Sequence, residues 1–172
     1  EVDVDNSSYV IKSRNQKTLY SIADEGIVSF KILPDGRLER LNSVKINGMR
    51  GCHLSTDVND RYIFVSGYHD GKITVLRLHE DGSVGEIVDE VYHKGLGSIA
   101  ERNFRPHVSC TRTTPDGHFV MAADLGIDQV KIYHFDSKDE MLNLVDMISC
   151  SINSAPRFFE FSQDGKYLYL MY

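Results

Sequence analysis

The sequence predicts an all-β fold made of repeated four-stranded antiparallel units, the blades of a β-propeller. Three observations carry that prediction. One turn-and-strand pattern recurs along the chain, polar turn residues separate short β-rich runs within each recurrence, and no segment has the length and 3.6-residue apolar periodicity of an amphipathic helix.

The recurrence is a turn, a basic or His residue, and a β-rich run. It appears as Asn15-Gln-Lys-Thr-Leu-Tyr20, Asn59-Asp-Arg-Tyr-Ile-Phe64, Asp116-Gly-His-Phe-Val-Met121 and Asp164-Gly-Lys-Tyr-Leu-Tyr169. The shared third positions, Lys17, Arg61, His118 and Lys166, are 44, 57 and 48 residues apart, close to the repeat of about 40–45 residues that propeller blades show. The longest interval holds His93 to Pro106, which lacks period-2 alternation and reads as an inserted loop.

Within the units, strands are expected at Tyr9–Lys12, Thr18–Ala23, Ile27–Leu33 and Leu38–Ile46. The second unit gives Cys52–Asp57, Tyr62–Gly67, Lys72–His79 and Val84–Tyr92, and the third Val108–Thr114, His118–Ala123, Gln129–Phe135 and Leu142–Ser149. Pro-Asp-Gly at 34–36 and 115–117 supplies turn chemistry. The fourth unit has Arg157–Ser162 and Lys166–Tyr172. The chain therefore reads as a single domain of units 9–46, 52–92, 107–149 and an incomplete 157–172.

Composition narrows the partners. The 172 residues are 41% hydrophobic and 26% charged, a globular balance, and the net charge of −6 argues against a nucleic-acid partner. No apolar run approaches the roughly 20 residues of a membrane span, and Glu1-Val-Asp-Val-Asp5 resembles no signal peptide, so no membrane partner and a cytoplasmic location are expected. Cys52, Cys110 and Cys150 are odd in number and widely spaced, which fits neither a disulfide framework nor a paired zinc motif.

Several stretches carry a family resemblance. They are Gly51-Cys-His-Leu-Ser-Thr-Asp57 with Arg61-Tyr-Ile-Phe-Val-Ser-Gly-Tyr68, Asp81-Gly-Ser-Val-Gly-Glu86, Pro106-His107, Ala123-Asp-Leu-Gly-Ile-Asp128 with Val130-Lys-Ile-Tyr133, and Ala155-Pro-Arg157. On these the chain resembles the lactonase seven-bladed propellers, which include 6-phosphogluconolactonases and carboxymuconate cyclases. The resemblance implies about three and a half blades of an expected seven. The rest of the propeller chain would then be needed for ring closure, and these residues alone are expected to be inactive. Ser109 and Phe158 stand where the family often has His, and the family's acidic residue of the fourth blade would fall just after Tyr172.

Propeller strands run outward from a central channel, so residues at the start of each innermost strand line one channel mouth. Counting back from the shared basic or His position, His53 lies eight residues earlier and Ser109 and Arg157 nine, with His107 two before Ser109. His53, His107 and Arg157 are expected to converge there. Arg50 beside His53, and Lys94, Arg102 and Arg105 on the inserted loop, would make a positive funnel suited to a small anion. The other histidines, His69, His79, His93, His118 and His134, lie at turns or on outer strands and read as structural or solvated.

Lactone hydrolysis needs a base to activate water, donors for the oxyanion, and cations that hold the substrate's phosphate or carboxylate. His107 is expected to act as or position the base and Arg157 to bind the anion or oxyanion, these two being the catalytic pair. His53, Arg50, Arg102, Arg105 and Ser109 would contact substrate. The expected partner is a small anionic lactone, with no cofactor and no metal site assigned. The resemblance implies hydrolysis of 6-phosphogluconolactone to 6-phosphogluconate in the pentose phosphate route. Its alternatives are a carboxymuconate-type lactonising cyclase and a non-catalytic propeller that binds other molecules. Phosphate-loop, nucleophile-elbow, His-Glu-x-x-His and Cys-x-x-Cys motifs do not occur.

Overall fold

The computed structural model describes residues 2–97 and 104–172. Three four-stranded antiparallel sheets and a two-stranded one follow each other along the chain, each ordered as its strands occur in sequence. The first holds β1 (Val10–Lys12), β2 (Thr18–Ile22), β3 (Gly26–Ile32) and β4 (Leu38–Lys45). The second holds β5 (His53–Thr56), β6 (Tyr62–Gly67), β7 (Lys72–Leu78) and β8 (Val84–Tyr92). The third holds β9 (Val108–Thr113), β10 (Val120–Asp124), β11 (Gln129–Asp136) and β12 (Met141–Ser149), and β13 (Phe158–Phe161) pairs with β14 (Leu168–Met171). Among the described residues no helix is long and apolar enough to cross a membrane.

One hydrogen bond explains why the repeat is visible in the sequence. In each unit a side-chain oxygen just before the shared turn accepts the backbone N–H five residues on. The pairs are Ser13 with Thr18 (3.0 Å), Asp57 with Tyr62 (2.8 Å), Thr114 with Phe119 (3.0 Å) and Ser162 with Tyr167 (2.9 Å). Such local bonds compete with the strand ladder and end it. That is why β5 stops at Thr56, one residue short of the expected Asp57.

The core lies between blades. Tyr20, Ile22 and Ile27 of the first blade pack on Leu54, Ile63, Val65 and Leu76 of the second. Tyr62, Phe64, Ile73 and Val75 pack instead on Val108, Val120, Ala122 and Tyr133 of the third. Phe159 closes against Cys110, Met121, Ala123 and Val130. Alternate residues of β6 thus serve opposite neighbours, so all six are buried and the strand loses polar alternation. Fully burying one large apolar side chain is worth roughly 1.5–3 kcal/mol, so sandwiching a blade fixes its place firmly.

This order sets what shares a channel mouth. Antiparallel pairing brings the start of each innermost strand to the same end as the turn between its second and third strands. His53 pairs with Ser66 and Gly67 with Lys72, so the Tyr68–Gly71 turn lies beside the entry to β5. The Leu125–Asp128 turn lies beside the entry to β9 in the same way.

Candidate functional site

Each segment entering a blade is pinned by a side chain on those turns or the strands beside them. The segment before β5, which carries Arg50, is held where Asp70 accepts the Met49 N–H at 2.6 Å. The almost fully buried Lys72 ammonium adds a bond to the Asn47 carbonyl at 2.7 Å and an ion pair with Glu90 at 2.5 Å. The segment before β9 is held by the fully buried Asp124, which accepts the N–H groups of His107 at 2.7 Å and Gly126 at 3.0 Å. Glycine is required at 126 because a Cβ there would lie 1.8 Å from the Arg105 carbonyl oxygen. The second Asp124 oxygen meets His93 Nδ1 at 2.7 Å, and His93 Nε2 lies 2.9 Å from the Tyr133 hydroxyl. Burial holds His93 below the ordinary histidine pKa, so a neutral ring donates to Asp124 and accepts from Tyr133.

A pocket of about 440 Å³ opens at this mouth, lined by Ser8, Arg50, Gly51, Cys52, Tyr68, His69 and Arg157. Two guanidiniums from different blades, a phenol and an imidazole therefore face one space. Arg50 donates to the Asn6 carbonyl and lies 3.9 Å from Asp24. Arg157 is exposed, and its backbone carbonyl accepts from Ser109 Oγ at 2.7 Å. Planar forks of donors in this setting suit a phosphate or carboxylate.

His107 sits immediately behind the pocket wall. Its ring stacks on Tyr68 with centroids 4.3 Å apart and planes 19° apart, and Nδ1 lies 2.7 Å from the Tyr68 carbonyl oxygen. A carbonyl can only accept, so Nδ1 carries a proton and, in the neutral ring, Nε2 is the acceptor.

His53 lies one layer deeper. The residue is 2% exposed, its ring 4.8 Å from the Tyr9 ring and 6.0 Å from that of Phe158, with Nε2 3.7 Å from Cys110 Sγ. Burial, helped by the nearby Arg112 charge, pushes its pKa down to about 3, so the ring is neutral at physiological pH. The counting rule contains the reason. Nine residues before the shared position stand Ser8, Cys52, Ser109 and Arg157; eight before stand Tyr9, His53, Cys110 and Phe158. Consecutive strand residues point to opposite faces, so the offset of one that the sequence reading treats as equivalent separates mouth from interior. Three of the first set line the pocket and Ser109 bonds to Arg157, whereas the second set gathers around His53.

The structure thus brings Arg50 and Arg157 together, with His107 and Ser109 adjoining them, and sets His53 beneath. Arg105 is exposed and lies over the Phe104 ring at 5.7 Å, outside the pocket lining. Arg102 lies outside the described residues. Lys94 contributes its carbonyl, accepting from Lys131 at 3.3 Å. Tyr68, which the sequence marks only as the end of a family-like run, and His69, expected to be structural or solvated, both line the pocket; the signal for them was their position between second and third strands, at the same end as Arg50. Among the described residues no group of three or more His, Cys, Asp and Glu could hold a metal ion.

Comparison with known proteins agrees with this architecture. Residues 1–172 match the family described as "Lactonase, 7-bladed beta-propeller". A 6-phosphogluconolactonase of Bacillus subtilis (strain 168) is 35% identical over 171 residues, which cover 96% of this chain and 48% of that protein. A Bacteroides fragilis crystal structure, described provisionally as a 6-phosphogluconolactonase, superposes with a TM-score of 0.89 at 31% identity, covering 99% of this chain and 51% of the other. The Pseudomonas aeruginosa periplasmic gluconolactonase gives 0.89 at 26%, covering 99% and 52%. The chain spans about half the length of the curated relatives it matches.

Proposed function

This chain belongs to the lactonase family of seven-bladed β-propellers, and from that footing we propose that the protein it forms part of hydrolyses a sugar lactone, specifically 6-phosphogluconolactone to 6-phosphogluconate. The observation that carries this reading is the pocket shared by Arg50 and Arg157 on a chain of net charge −6. Two converging guanidiniums on an acidic protein favour a small anion over a polyanion.

In this reading Arg157 and Arg50 bind the phosphate, and His107, through Nε2, takes the proton from a water that attacks the lactone carbonyl carbon. The tetrahedral oxyanion is stabilised by the guanidinium field as it forms. The carbonyl re-forms as the ring C–O bond breaks, the ring oxygen takes the proton held on His107 to become a hydroxyl, and the acyl end of the same molecule is a carboxylic acid that loses its proton to solvent. His53, neutral and enclosed, shapes the floor beneath the pocket. Tyr68 orients His107 through its carbonyl and ring, and His69 adds a polar contact at the rim.

The test is lactone opening by the full-length protein, at a pH where spontaneous hydrolysis is slow, with phosphorylated and unphosphorylated gluconolactone side by side. Faster turnover of the phosphorylated lactone at low substrate concentration is expected. A preference for the unphosphorylated lactone would remove the phosphate from the reading, and no turnover of either would overturn it.

A further inference from the structure

The run Ala123-Asp-Leu-Gly-Ile-Asp128 ends in a second carboxylate that the catalytic reading leaves unused. Asp128 is 7% exposed and closes the β10–β11 turn. Its Oδ2 accepts the Asn153 N–H at 2.9 Å and its Oδ1 the Ala155 N–H at 2.8 Å, while its own carbonyl accepts from Cys150 at 2.8 Å. All three donors lie on the segment that leads from the third blade to Arg157. Two of them are bent into the left-handed region, Asn153 at φ 66° and Ala155 at φ 50°. Alanine avoids that region, because its Cβ crowds the backbone, unless surrounding contacts enforce it.

We propose that Asp128 is a positioning residue for the anion pocket: by holding Asn153 and Ala155 in this bend with both carboxylate oxygens, it sets where Arg157 stands opposite Arg50. The inference rests on the reading of Arg157 as an anion-binding group. The carboxylate holds this segment through its backbone, and Arg157 is the residue of that segment that lines the pocket. Pro156, immediately before Arg157, has its own φ locked by its ring, which leaves fewer backbone choices once Ala155 is bent. Ser109 Oγ holds the Arg157 carbonyl from the other side.

The experiment is a double-mutant cycle in the full-length protein on 6-phosphogluconolactone, with Asp128→Asn, Arg157→Ala and the two combined. Asparagine keeps the size of the side chain but replaces one acceptor with a donor. Asp128→Asn is expected to raise KM by about tenfold, the scale of one lost charge-assisted contact, with kcat changed less. In the Arg157→Ala background the same substitution is expected to change KM less than twofold, since nothing is left to position. Independent, multiplying effects of the two substitutions, or a silent Asp128→Asn beside an impaired Arg157→Ala, would overturn the role of Asp128 alone. A silent Arg157→Ala would overturn the anion-site reading and this inference with it. Should Asp128→Asn fail to fold, Asp128→Asn/Ala155→Gly takes its place in the cycle, because glycine adopts the bend without the Cβ penalty.

Discussion

The mouth layer of the channel, Ser8, Cys52, Ser109 and Arg157, and the layer beneath it, Tyr9, His53, Cys110 and Phe158, are one residue apart at each entry to an innermost strand. Three of the first set line a pocket between guanidiniums and the fourth, Ser109, bonds to Arg157, while the second packs ring against ring around an imidazole that burial keeps neutral. His107 and His53 are the same side chain in these two settings. Both are buried, but one is oriented by the carbonyl and stacked ring of Tyr68, a residue of the pocket wall, and the other is packed among rings of the layer beneath. Environment, more than residue type, assigns them different work.

The largest effect should come from exchanging the two histidines for glutamine in turn, in the full-length protein. His107→Gln removes the proposed base and is expected to lower kcat by about 10²-fold or more, within the usual range for general-base catalysis. His53→Gln keeps an acceptor for the Thr111 N–H, which lies 3.4 Å from Nδ1, and is expected to cost less than about tenfold in kcat, since no proton transfer is lost. Steady-state kinetics on one lactone decide it. Equal losses would erase the distinction between the layers.

A smaller effect should appear in stability. The folded His53 pKa of about 3 lies below the ordinary value near 6.5. Above pH 6.5 both folded and unfolded forms are neutral and the group contributes nothing to pH dependence. Between pH 6.5 and 3 the unfolded chain binds a proton that the folded one refuses, so stability falls as pH falls, by at most ~1.4 kcal/mol per pH unit. Thermal unfolding of the full-length protein followed from pH 7 to 4.5 should be less steep in His53→Gln than in the unsubstituted protein. Identical slopes would mean that water reaches the interior layer.

Much of the fold was legible because its determinants are local. The side-chain oxygens of Ser13, Asp57, Thr114 and Ser162 each serve a turn within five residues of themselves, so the repeat is written directly in the sequence. Arg50 and Arg157 were legible too, since strand entry places them at one end. The separation of His53 from that mouth was harder to read, because an offset of one residue leaves the local pattern almost unchanged while turning the side chain to the other face. Asp124 and Asp128 could not be read as supports, because the backbone N–H groups they hold are brought near by the blade's pairing and not by sequence proximity.

A crystal structure of the full-length protein with 6-phosphogluconate bound tests the central claim most directly. The phosphate is expected within hydrogen-bonding distance, about 3 Å, of the guanidiniums of both Arg50 and Arg157, with the new carboxylate toward His107. The product seated instead in a second pocket, at the far end of the innermost strands between Arg14 and Arg112, or between other blades, with Arg50 and Arg157 untouched, would sink this reading.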